Sequence, residues 1–96
     1  MENTNKYNGW KNYCTWAAAL WIDNDQGSYN YFREEVQEIR RETEDKDEQR
    51  YNLAECVKEY IEENAPEIQT SMYSDLLSFA LSEIDYNEIA ENMLED

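Results

Sequence analysis

The stretch Leu53-Ala54-Glu55-Cys56-Val57-Lys58-Glu59-Tyr60-Ile61-Glu62-Glu63-Asn64-Ala65-Pro66, residues 53–66, decides the fold class. Leu53, Cys56, Val57, Tyr60 and Ile61 recur at spacings of three and four, which puts them on one face of an α-helix. Pro66 ends that helix, because the residue before a proline is biased out of the α region. The same period continues downstream. Met72, Leu76, Leu77, Ala80, Leu81 and Ile84 predict a helix capped by Thr70 or Ser71. Asp85-x-x-Glu88 reads as an aspartate variant of the capping box, with Ile89, Ala90, Met93 and Leu94 as the apolar face behind it.

Upstream, Tyr13, Trp16, Ala17, Leu20 and Trp21 predict a first helix capped by Asn12 or Thr15. It stops in the polar cluster Asp23-Asn24-Asp25-Gln26-Gly27, where Gly27 is free to take a positive φ. Ser28 then reads as the N-cap of a second helix, with Tyr29, Phe32, Val36 and Ile39 inside and Glu34 and Glu35 near the positive end of its dipole. Arg40 with Glu44, Arg41 with Asp45 and Glu42 with Lys46 stand at i,i+4. Residues 42–49 are wholly polar and read equally as a solvated continuation of the helix or as a loop. One proline, two glycines and no six-residue alternation leave little room for a sheet. The expectation is an all-α protein, a compact bundle of about five short helices forming one domain over residues 1–96. Trp16, Leu20, Phe32, Val36, Val57, Ile61, Leu77, Leu81 and Ile89 are expected inside.

Composition narrows the function classes. The chain carries a net charge of −15, distributed as −4 over residues 1–50 and −11 over residues 51–96, where Lys58 is the one base. Counterion release needs clustered lysine and arginine, so direct nucleic-acid binding through a basic patch is not expected, nor is attachment to an anionic membrane. The chain has no histidine to relay a proton or hold zinc, and Gly9 and Gly27 are too few for a phosphate loop, so no enzyme, cofactor or metal is expected. The turn from Asp23 resembles a calcium loop only superficially, since glycine stands at its fifth position where a ligand belongs. Cys14 and Cys56, with no N-terminal signal and no apolar run of membrane length, suggest a reduced cytoplasmic protein.

Eight of the 13 aromatic residues fall within the first 32 positions, enough rings to staple the first helix to the others. The run Tyr7-Asn8-Gly9-Trp10-Lys11-Asn12-Tyr13-Cys14-Thr15-Trp16 resembles the opening of a family of small proteins carried by phages, plasmids and some bacterial genomes. Their shared feature is an Asn-Gly-Trp-x-Asn-Tyr-x-Thr-Trp stretch. The segment Ile84-Asp85-Tyr86-Asn87-Glu88-Ile89-Ala90-Glu91 is similar to the closing segment of the same family, and together the two ends imply a mobile-element setting.

A small acidic helical protein in that setting suggests an anti-CRISPR or anti-restriction inhibitor that occupies the nucleic-acid groove of a host defence complex as a polyanion mimic. The carboxylates that would do so are Glu55, Glu59, Glu62, Glu63, Glu67, Glu83, Asp85, Glu88 and Glu91, with Glu95 and Asp96 beyond them. The competing expectation is an interaction module that binds a protein partner through its N-terminal aromatic face, carried by Trp10, Asn12, Tyr13 and Trp16.

Overall fold

A computed structural model describes residues 6–95. Five helices follow in order: α1 Tyr13–Asn24, α2 Gln26–Glu42, α3 Lys46–Asn64, α4 Met72–Ser82 and α5 Tyr86–Leu94. Among the described residues the only β pairing is an isolated bridge between Tyr7 and Trp10, which closes a tight turn. Asn8 at φ 49° and Gly9 at φ 86° supply the two positive dihedrals of a type I′ turn, the conformation that Asn-Gly favours. The all-α expectation holds.

Each helix start has a side-chain cap. Asn12 accepts from the Thr15 N–H at 2.9 Å, and Ser71 and Ser74 form a reciprocal capping box on α4. The α1–α2 corner differs from the sequence reading. Asp25, not Ser28, caps α2, accepting from the Ser28 N–H at 2.9 Å. Ser28 lies inside the corner and donates through Oγ to the Ile22 carbonyl at 2.7 Å. Gly27 is an ordinary helical residue without positive φ, and α2 begins early enough to put Glu34 and Glu35 at its middle. A residue that closes one helix and caps the next leaves no loop for glycine to turn.

The polar stretch 42–49 resolves into a short corner, Thr43–Asp45, between two helices. Asp45 caps α3 through the N–H groups of Asp47 and Glu48, and the buried Gln49 donates to the Thr43 carbonyl at 2.8 Å. This break removes the expected i,i+4 pairs across residues 40–46. Arg41 pairs with Glu38 at 2.8 Å instead, and Arg50 with Asp47 at 3.2 Å.

The core is Ala19 and Ile22 of α1, Phe32, Val36 and Ile39 of α2, Leu53, Ala54 and Val57 of α3, and Ile89 and Ala90 of α5. Leu53 and Val57 are fully enclosed, and α3 against α5 is the most extensive helix pair. Of the residues expected inside, Phe32, Val36, Val57 and Ile89 are buried; Trp16, Ile61, Leu77 and Leu81 are half-buried; Leu20 is exposed. The buried face of α1 is Thr15, Ala19 and Ile22, nearly opposite the aromatic stripe that the spacing suggested. The run YCTWAAALWI is apolar almost all round, so its period cannot select a face. Small Thr15 and Ala19 win because they let the helix axes approach, while the large rings fill the margins.

α4 is the outlier. It buries no residue and packs closely on none of the other helices. The molecule measures 43 × 39 × 23 Å, and its radius of gyration of 14.4 Å exceeds the about 12.5 Å typical of a compact chain this long. No helix is long and apolar enough to cross a membrane among the described residues.

Candidate interaction surfaces

The start of α1 meets the corner between α4 and α5. The Lys11 N–H donates to Glu88 Oε1 at 2.9 Å, Asn12 Nδ2 donates to the Glu83 carbonyl at 2.8 Å, and the Asp85 N–H donates to Thr15 Oγ1 at 2.9 Å. Asp85 also accepts from the Glu88 N–H at 3.1 Å, so it caps α5 as its spacing predicted. The capping box is only half closed: Glu88 turns away from the Asp85 N–H and reaches the segment before α1. Thr15 is completely enclosed, yet its hydroxyl is satisfied by the α5 cap. Asp85 and Glu88 are half-buried here, whereas Glu83 is exposed and Glu91 lies 3.9 Å from Arg50.

The aromatic motif divides in the same way. Trp10 packs half-buried against the core, and Asn12 is spent on the cap and on the Glu83 carbonyl. Tyr7, Tyr13 and Trp16 form a ring cluster, with centroids 4.9 to 5.5 Å apart. Of the four motif residues named from sequence, Tyr13 is the one that faces solvent, at 57% exposure.

A second surface runs along α3. Glu55, Glu59, Glu62 and Glu63 are exposed on one outward face, interrupted by Lys58, whose Nζ is 4.0 Å from Glu62. Glu67 is exposed in the segment that follows. Sequence reasoning missed the part that α2 adds. Glu35 accepts from Cys56 Sγ at 3.6 Å, and burial, with Glu35, Glu59 and Glu42 close by, pushes the Cys56 thiol up to about 11. Tyr31 is raised as well, by burial first and then by Glu35, Cys56, Glu63 and Glu59. Tyr31 stacks on Tyr60 with ring centroids 5.7 Å apart, so an aromatic seam lies inside the acidic surface. No spacing within α3 could have announced Glu35 and Glu42, because helix pairing brings them there.

The third surface is apolar. Met72, Leu76 and Phe79 of α4 are 63%, 60% and 65% exposed, with Tyr73 beside them. Behind α4, between it, α1 and the end of α3, lies a groove of about 590 Å³ lined by residues including Ala17, Trp21, Tyr60, Ile61, Ala80 and Leu81. The sequence placed Met72 and Leu76 in the core stripe. α4 carries apolar side chains over more than half its circumference, and its inner side, Leu77, Ala80 and Leu81, is only half-covered.

No curated protein matches the chain. No solved structure matches it either. The model of one protein family matches residues 3–96, nearly the whole chain, and the protein therefore belongs to that family, described as "Family of unknown function (DUF7249)".

Proposed function

We propose that the protein is a non-enzymatic acidic inhibitor of mobile-element origin, acting in the cytoplasm. It occupies the basic nucleic-acid-binding groove of a host defence complex, of the CRISPR or restriction type, as a polyanion mimic. The observation that carries this reading is the acidic surface of α3, reinforced by Glu35 and Glu42 of α2. From Glu55 to Glu63 the helix advances about 12 Å at 1.5 Å per residue. Four carboxylates over that length give one negative charge per roughly 4 Å, close to the ~3.4 Å axial spacing of phosphates along one DNA strand. The resemblance of both chain ends to mobile-element proteins supplies the setting.

The test is competition. Purified CRISPR effector complexes and restriction enzymes are incubated with labelled target DNA and increasing amounts of the protein. Displacement of DNA from at least one of them is expected, with an affinity that falls steeply as salt rises. Changing Glu59→Lys, Glu62→Lys and Glu63→Lys together reverses charge on exposed positions. It should weaken displacement by more than about tenfold while leaving the helical circular-dichroism signal intact. Binding that survives both high salt and the triple reversal would end the mimicry reading. The alternative, a partner held by the aromatic face, is favoured by the exposure of Tyr13 in the ring cluster. It predicts that Tyr13→Ala abolishes binding and that the triple reversal does not.

A further inference from the structure

The exposed stripe of α4 is not accounted for by the acidic surface. Met72, Leu76 and Phe79 stand at i, i+4 and i+7, so they form one line along the helix, and each is more than half exposed. Tyr73, next to Met72, is exposed as well, and so is Ile68 in the segment before the helix. Monomeric proteins rarely leave a contiguous row of large apolar side chains in water, and such rows mark interaction sites. A line with this spacing matches the ridge of an amphipathic helix laid against it.

The charge around the stripe selects its occupant. No lysine or arginine follows Lys58 in the chain, while eleven acids do. Asp75 lies on α4 beside the stripe, Glu83 follows directly on the helix, and Glu67 stands in the segment that leads into it, all exposed. A second copy of this chain would set those carboxylates against their own kind and bring together two molecules of charge −15. A segment whose apolar ridge is bordered by lysine or arginine meets complementary charge at Asp75 and in the acidic segments before and after the helix. We propose that α4 is a docking element that receives an amphipathic helix with a basic rim from a protein partner. This assignment rests on the apolar stripe and is independent of the α3 mimicry reading.

The probe is a fluorescein-labelled synthetic peptide of about five helical turns, with leucines at i, i+3, i+4 and i+7 and lysines flanking them. Two control peptides accompany it: one of the same composition with scrambled order, and one with glutamate in place of lysine. Fluorescence anisotropy with the full-length protein, at about 0.15 M salt to screen nonspecific attraction, reads the affinities. The amphipathic lysine peptide is expected to bind at least about tenfold more tightly than either control. The double change Leu76→Ser and Phe79→Ser, both on solvated positions, should erase that preference with the circular-dichroism spectrum unchanged. Asp75→Asn alone should reduce it partially. The Glu59→Lys, Glu62→Lys and Glu63→Lys variant should retain the preference of the amphipathic over the scrambled peptide, which separates this surface from that of α3. Equal binding of the scrambled peptide, or no binding, would overturn the proposal. So would a sedimenting dimer that the Leu76→Ser and Phe79→Ser variant dissociates, because the occupant would then be a second copy.

Discussion

Cys56 and Cys14 are both free and half-buried, but the surroundings of Cys56 are unusual. Its thiol donates to Glu35, and burial together with three carboxylates raises it from 9.0 to about 11. The thiolate is the reactive species, so at pH 8 only about one Cys56 in a thousand is available to attack a disulfide reagent. Titration with such a reagent should show Cys56 reacting far more slowly than an ordinary exposed thiol, and Glu35→Gln should accelerate it by removing a charge that opposes ionisation. An unchanged rate in that variant would mean that burial, with Glu59 and Glu42, silences the thiol without help from Glu35. The same shifts set an alkaline limit on stability. Cys56, Tyr31 and Tyr86 are all raised, so the folded state holds protons that the unfolded state releases earlier. The contribution of Cys56 is intact below pH 9 and is lost as pH climbs from there to about 11. Urea midpoints should fall over that interval.

At the scale of the helix, capping sorts what the sequence disclosed from what it hid. Asp85 supplies an N-cap and lies 3.9 Å from Lys11, a pair exposed enough to contribute little. Asp85→Ala should therefore cost about 1 kcal/mol in urea unfolding, whereas Asp85→Asn, which retains the acceptor, should be nearly neutral. A large loss in the asparagine variant would assign the stabilisation to charge. This cap was legible because a short polar side chain at the edge of a periodic run has few other uses; at Asn12 and Ser71 the same signal left two candidates each, and the structure selects between them. The period of α2 likewise identified Phe32, Val36 and Ile39 correctly, whereas Tyr29 of the same stripe is exposed. What failed was the choice of face on helices that are apolar on more than one side. α1 turned Thr15 and Ala19 inward rather than its rings, and α4 offered Leu76 to the core but left it in water. The candidate site suffered in the same way. The run of acids on α3 could be read in one dimension, but its reinforcement by Glu35 and Glu42 depends on how two helices pair, which no local spacing encodes.

Across the whole molecule, 23 acids against 8 bases leave the fold working against its own charge. Raising ionic strength shortens the Debye length to ~8 Å at physiological salt, which weakens repulsion between carboxylates on neighbouring helices more than it weakens the few contact ion pairs. The melting temperature should climb between low and moderate salt; a flat response would show that the acidic surfaces lie too far apart to repel. The junction between the start of α1 and the α4–α5 corner has a different consequence, one that concerns how the protein is made. Thr15 is enclosed by a bond to Asp85, and Lys11 and Asn12 reach across more than 70 positions to Glu88 and Glu83. At about 5 to 20 residues per second, the roughly 60 residues between the end of α1 and Asp85 occupy a ribosome for about 3 to 12 s, and through that interval α1 exists without the segment that seals its buried hydroxyl. Until Asp85 has been translated, the Thr15 hydroxyl lacks the partner that it has in the folded protein. Closure of the core therefore awaits α5, and a message cut short before α5 yields a polypeptide that lacks Ile89 and Ala90 from its core.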